Sequence, residues 1–103
     1  MQLYKTVTYA TTPHSEILIS GMPGIRIIIH DIIVRTTGAA ELDLYEGATN
    51  DDDHKIIDLA PSAAGVERFH FAKGHLCTEN TNVAAYVNTG TCLVKIHYSY
   101  LGV

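Results

Sequence analysis

The stretch from Gly24 to Gly47 constrains the fold of this chain more than any other part of it. It is rich in β-branched residues, it alternates apolar with polar positions, and glycines interrupt it. This pattern is typical of one long β-strand followed by a second, shorter strand. The same alternation recurs along the rest of the chain, and no helical period appears. The sequence therefore predicts an all-β protein.

The apolar pattern of the long strand changes parity near its middle. The apolar residues before the midpoint fall on one face of a strand and those after it on the other: Ile25, Ile27 and Ile29, then Ile32 and Val34. Because side chains alternate with a period of two, a regular strand cannot bury both sets on one side. Either the strand is covered on both faces, or a bulge at His30-Asp31 resets the register. A bulge or bend fits, since long strands in β-sandwiches often cross from one sheet to the other.

Turn signals recur about every 8–12 residues along the 103-residue chain, which has a common length for one domain. They predict a single β-sandwich domain over residues 1–103, with eight or nine strands in a jelly-roll-like arrangement. In the last strand, one set of alternate residues is expected to face the core: Val94, Ile96, Tyr98 and Tyr100. The other set is expected to face outward: Leu93, Lys95 and His97.

Charge and hydropathy argue against several classes of partner. The net charge is −4, and the seven lysines and arginines are scattered along the sequence without a basic stripe, so we expect no nucleic-acid partner. No apolar run reaches the length of a membrane span, and the N-terminus has no signal-peptide hydrophobic region. The charged fraction of 17% is low, which favours self-association as a way to cover apolar surface.

The histidines and acidic residues do not follow the spacings of common metal sites. The six histidines include no His-x-His pair, and the two cysteines do not form a Cys-x-x-Cys pair. The best candidate set is His70, His75 and Cys77, but we interpret the histidines as surface or interface residues and predict no metal ligand. The Asp51–Asp53 run lacks the alternate acids of an EF-hand loop, and we interpret it as a solvated loop tip.

No residue is predicted to be catalytic, and no cofactor is expected. The serines lack the strained-turn setting of a nucleophile, and the glycines never form a Gly-x-Gly phosphate loop. Cys77 and Cys92 are interpreted as two buried thiols, with a disulfide between them as the alternative. Tyr45 with Tyr86 could form an aromatic platform for a sugar, although tyrosines are also enriched at protein interfaces.

Four segments together carry a family resemblance: Ile19 to Ile27, Glu41 to Gly47, Asn82 to Val87, and Ile96 to Tyr100. In these segments the chain resembles the small all-β structural proteins of tailed bacteriophages, and among them the capsid decoration (cement) proteins. The resemblance implies a non-enzymatic virion protein, made in the host bacterial cytoplasm, that forms homotrimers on the outer capsid surface. Its partner would be the major capsid protein of a phage head, whose neighbouring subunits it would clamp together.

A rigid sandwich suits such a role, because it loses little entropy on docking and many weak contacts add together. We expect the trimer or partner contacts to use six apolar or aromatic residues: Ile28, Ile32, Val34, Tyr45, Tyr86 and Leu93. Two alternatives remain open. One is a carbohydrate-binding or receptor-binding β-sandwich module. The other, ranked last, is a small cupin-type metal enzyme, for which the usual His-x-His motif is missing.

Overall fold

The computed structural model describes residues 5–11 and 14–102. This part of the chain forms eight β-strands and no helix. The strands are β1 (Lys5–Thr11), β2 (His14–Ile19), β3 (Ile25–Thr36), β4 (Glu41–Glu46), β5 (Lys55–Leu59), β6 (Gly65–Leu76), β7 (Val83–Thr89) and β8 (Cys92–Gly102). The described residues thus contain no helix that could cross a membrane. The predicted all-β class is confirmed, while residues 1–4, 12, 13 and 103 of the predicted domain lie outside the described ranges.

The strands form two four-stranded sheets. Sheet A has the order β1-β8-β3-β6, and sheet B has the order β2-β7-β4-β5. All pairings are antiparallel. Every connection between consecutive strands crosses from one sheet to the other, except that from β4 to β5. Apart from β4 and β5, neighbours within a sheet therefore come from distant parts of the sequence.

The core lies between the two sheets and draws on both. Its largest fully buried side chains come from β3, β4, β7 and β8: Ile27, Ile29, Ile32, Val34, Leu42, Leu44, Val83, Val87, Val94 and Ile96. The predicted faces of β8 are confirmed. Its inward residues Val94 and Ile96 are buried, whereas Leu93 and Lys95 on the opposite face are exposed.

The predicted bulge in β3 is also confirmed. The register of β3 shifts between Ile29 and Asp31 against both of its neighbours, so His30 is the inserted residue. Because an extra residue reverses the side-chain parity, Ile29 before the bulge and Ile32 after it both face the core, with 0% exposure each.

A larger irregularity lies opposite this bulge in β6. His70 pairs with Asp31 and His75 pairs with Ile29, so residues 71–74 face the single residue between them. At the end of this four-residue bulge, Gly74 has a φ of 77°, a left-handed conformation that favours glycine. Its backbone lies against Ile28, which occupies an outward position of β3 and is nevertheless buried.

Candidate functional site

The topology separates the charges of the molecule between its two sheets. Six of the seven lysines and arginines belong to strands of sheet A: Lys5, Arg26, Arg35, Arg68, Lys73 and Lys95. Eight of the eleven acidic residues belong to sheet B or to the β4–β5 loop: Glu16, Glu41, Asp43, Glu46, Asp51, Asp52, Asp53 and Asp58. One sheet is therefore cationic and the other anionic, although the net charge is small.

The outer surface of sheet A, which we call the cationic face, contains a shallow cavity of about 250 Å³. Asp31, Ile33, Arg68, Lys95 and His97 line it. These residues face outward because the strand period turns the intervening residues of β3 and β8 into the core. Arg68 and Lys95 are exposed, so this face attracts anionic groups.

Asp31 organises the histidines of the cationic face. Its Oδ1 lies 2.7 Å from His70 Nδ1, and its Oδ2 lies 3.7 Å from His97 Nδ1. The hydrogen bond with His70 lowers the pKa of Asp31, and the nearby His70 and His97 charges act in the same direction. Asp31 therefore remains a carboxylate that holds both imidazoles at the surface. Beside it, His30 Nε2 and Ser99 Oγ lie 2.8 Å apart, and burial lowers the pKa of His30.

The outer surface of sheet B and the adjoining β4–β5 loop form the anionic face. Among the described side chains, Lys55 is its one lysine or arginine, and the Lys55 Nζ lies 3.6–3.8 Å from carboxylate oxygens of Asp43, Asp52 and Asp58. The remaining acids leave the surface negative. Lys55 partly neutralises this surface, which contains a cavity of about 220 Å³ lined in part by Asp43, Lys55 and Asp58.

The Asp51–Asp53 run forms an exposed turn, as the sequence predicts. The backbone N–H groups of His54 and Lys55 each donate a 3.1 Å hydrogen bond to the Asp51 carbonyl oxygen. The Asp51 side chain also hydrogen-bonds the His54 imidazole, which raises the pKa of His54 and lowers that of Asp51. Asp51 thus closes the turn.

A third group of polar side chains lies at one end of the sandwich. Single ligand atoms of Glu46, His75 and Cys77 all lie within 4.8 Å of one another. The sequence predicts His70 as the third member of this set, but His70 lies on the cationic face with Asp31. Glu46 is the third member of the set instead, and this residue was not predicted. The parity of β4 could have indicated it, since Glu46 shares the inward face of Leu42 and Leu44.

Both cysteines are buried free thiols, so the disulfide alternative is wrong. Burial raises the pKa of Cys92, and burial together with the nearby Glu46 carboxylate raises the pKa of Cys77. A raised pKa keeps a thiol protonated and unreactive. Neither residue has the environment of a cysteine nucleophile.

The six predicted interface residues divide into buried and exposed sets. Ile32 and Val34 belong to the core, because the β3 bulge turns them inward, and their assignment to an interface is wrong. Ile28, beneath the β6 bulge, and Tyr45, opposite Ala84, are also buried, at 8% and 6% exposure. In the single chain neither offers a surface.

Tyr86 and Leu93 are exposed, at 36% and 38%, and their contact role remains a prediction. They lie on opposite sides of the molecule. Leu93 pairs with Arg35 in sheet A, whereas Tyr86 pairs with Asp43 in sheet B. Because Tyr45 is buried, it cannot present a ring face beside Tyr86, and the two residues do not form the aromatic platform that was the alternative to an interface role.

No protein-family model matches this chain, and no curated protein is significantly similar to it in sequence.

Proposed function

We propose that this protein is a non-enzymatic virion structural protein that decorates an assembled phage head and clamps neighbouring capsid subunits. The observation that carries the proposal is the separation of charge between the cationic face and the anionic face. Opposite charges on the two sides of a rigid slab give it a defined orientation in an ordered array. Such a slab acts through shape and charge and needs no reactive group.

The strand order supports a jelly-roll assignment, which we include in the proposal. Eight antiparallel strands in two sheets, with crossings between the sheets at nearly every connection, follow the double Greek-key scheme. Jelly rolls occur in viral capsid proteins as well as in lectins and cupins. The fold alone therefore does not choose among these classes, and the surfaces must do so.

We further propose that the chain self-associates head to tail, with the cationic face of one copy against the anionic face of the next. Each face carries exposed apolar side chains, among them Leu93 beside Arg35 on the cationic face and Tyr86 beside Asp43 on the anionic face. Their contact would bury apolar surface while the surrounding charges fix the orientation. A head-to-tail interface forms a closed ring when its rotation closes, and the resemblance to cement proteins implies three copies.

A ring of this kind leaves the edge strand β6 available for the capsid. Among the described strands, β6 pairs with β3 alone, so its other edge presents backbone N–H and C=O groups. The edge also exposes Val66 and Leu76, at 56% and 42%. Addition of a strand to such an edge is a common mode of protein recognition. We propose β6 as the attachment surface on the major capsid protein.

The test is the thermal stability of phage heads lacking this protein, measured with and without the purified chain. We expect the chain to bind the heads and to raise their disruption temperature. A chain carrying Arg35→Glu and Lys95→Glu should lose this effect, as should one carrying Glu41→Lys and Asp58→Lys. The chain with all four substitutions exchanges the charges at these four positions, keeps the original net charge, and should regain the effect, because residues of opposite charge again face each other there.

Two results would contradict the proposal. One is a chain that neither binds the heads nor changes their stability. The other is a pair of charge reversals that leave stabilisation unchanged, which would show that the charged faces have no role. Absence of head binding together with recognition of a sugar on a glycan array would instead support the carbohydrate-binding alternative.

A further inference from the structure

We propose that Glu46, His75 and Cys77 form a zinc-binding site that joins sheet A to sheet B. Glu46 is the last residue of β4 in sheet B, whereas His75 lies near the end of β6 in sheet A and Cys77 follows that strand directly. Their ligand atoms lie within 4.8 Å of one another. This distance is short enough for one ion to contact all three after small side-chain movements.

The backbone around each ligand is fixed by hydrogen bonds. Cys77 donates its N–H to the Ile27 carbonyl oxygen at 2.8 Å, and the Glu46 N–H donates to the His54 carbonyl oxygen at 2.9 Å. His75 pairs with Ile29 in the sheet. Three ligands on paired strands or directly beside them are held in place before an ion arrives, which lowers the entropy cost of binding.

The imidazole of His75 provides the observation that points to a ligand. Its Nε2 atom is buried and has no hydrogen-bond partner in the described structure. Buried polar atoms are nearly always satisfied, and an unsatisfied one calls for an explanation such as an ion or water. A metal ion among the three side chains would accept the lone pair of this nitrogen. The same ion would satisfy an atom that otherwise costs the fold stability.

The donor set selects the kind of ion. A thiolate and an imidazole are ligands for zinc and similar borderline or soft metals, whereas calcium and magnesium require oxygen. One thiolate and one carboxylate neutralise the two charges of Zn²⁺, so the bound centre is electrically neutral within a partly buried site. Binding displaces the thiol proton of Cys77 to solvent, and the sulfur then donates its electron pair to the metal.

The surroundings of Glu46 resemble an outer ligand shell. The backbone N–H of Thr78 donates to one carboxylate oxygen of Glu46 at 3.1 Å, and the Thr78 hydroxyl donates to the other at 3.5 Å. Such contacts orient a ligating carboxylate while leaving lone pairs for the metal. Three protein ligands leave one position of a tetrahedral ion for water. Although three protein ligands with one open position are also the coordination of catalytic zinc, we assign the ion a stabilising role, because it would tie the ends of the two sheets together.

The experiment uses the full-length chain, stripped of metal and titrated with Zn²⁺ by calorimetry and with Co²⁺ by absorption spectroscopy. We expect one high-affinity equivalent of either ion, and with Co²⁺ a sulfur-to-cobalt charge-transfer band. Zn²⁺ should also raise the unfolding temperature. Cys77→Ser should abolish the band and weaken Zn²⁺ binding more than about 100-fold, since loss of an outer-shell partner alone costs about 10- to 100-fold.

Cys92→Ser is the matched control, because Cys92 is the other buried thiol of the chain and lies outside this cluster. It should keep both the band and the Zn²⁺ affinity. Glu46→Gln serves as a second, more conservative variant and should weaken binding while leaving the band in place. The proposal is overturned if the unmodified chain shows no charge-transfer band, or if Cys77→Ser binds Zn²⁺ as tightly as the unmodified chain.

Discussion

Substitution of Gly74 by alanine tests the arrangement in which the β6 bulge covers β3. Gly74 has a φ of 77°, and a Cβ atom there would lie 2.5 Å from Ile28 Cγ2. The left-handed conformation costs an alanine about 1–2 kcal/mol, and overpacking costs about 1–3 kcal/mol more. Gly74→Ala should therefore reduce the free energy of unfolding by about 2–5 kcal/mol. Natural domains have about 5–15 kcal/mol in total, so the variant should fold but unfold much earlier.

Urea denaturation of the unmodified chain, the two single variants at Gly74 and Ile28 and their double variant separates the two contributions to this loss. Ile28→Ala removes the Cγ2 atom that the new methyl group would contact, so Gly74→Ala should cost only about 1–2 kcal/mol in that background. Gly65→Ala in the same strand is the control, because no atom lies within 4 Å of a Cβ there and its φ is not positive. The reasoning is refuted if Gly74→Ala and Gly65→Ala are equally stable, or if Ile28→Ala does not reduce the cost.

Two further predictions concern the core and the β4–β5 turn. Ile32→Ala should cost about 2–5 kcal/mol in urea denaturation, whereas Ile33→Ala on the outer face should cost clearly less, and equal losses would contradict the register set by the bulge. Asp51→Asn should return the raised pKa of His54 toward 6.5 in an NMR titration, while Asp52→Asn should have little effect. Because the contact raises the pKa of His54 and lowers that of Asp51, the stability that it gives is full between about pH 3.8 and about pH 6.5. It is lost as pH rises through the folded pKa of His54 or falls through that of Asp51. A stabilising contribution that grows as pH rises above about 6.5 would be inconsistent with this contact.

The sequence predicted those features that depend on local alternation. The parity change between Ile29 and Ile32 required either a bulge or cover on both faces, and the structure has the bulge at His30. The faces of β8 followed from the same period of two. In each case neighbouring residues in the chain contained the information.

Features that depend on which strands become neighbours could not be predicted from the alternation of residues within one strand. The basic residues look scattered along the sequence, and only the order β1-β8-β3-β6 brings them onto one sheet. Lys73 and Gly74 end a four-residue bulge whose shape depends on contact with Ile28. Such contacts join residues far apart in sequence, which a pattern in one strand does not encode.

For the predicted sites too, contacts between neighbours in sequence could be predicted, whereas contacts between distant strands could not. Ile32 and Val34 were assigned to an interface because the apolar pattern of a strand is the same whether it packs in the core or against a partner. The bulge turns both side chains into the core. His75 and Cys77 were correctly recognised as close neighbours. Their partner was not, because Glu46 approaches from the opposite sheet. The separation of charge between the two sheets is likewise a property of the assembled sheets.

Light scattering on the purified, unmodified chain over a range of salt concentrations tests the central claim most directly. If the oppositely charged faces bind each other head to tail, the mass in low salt should be three times the 11.2 kDa of one chain. It should fall toward the single-chain mass as salt rises to about 1 M, where charges are screened beyond about 3 Å. A single-chain mass at every salt concentration, or an assembly that salt does not weaken, would contradict the account.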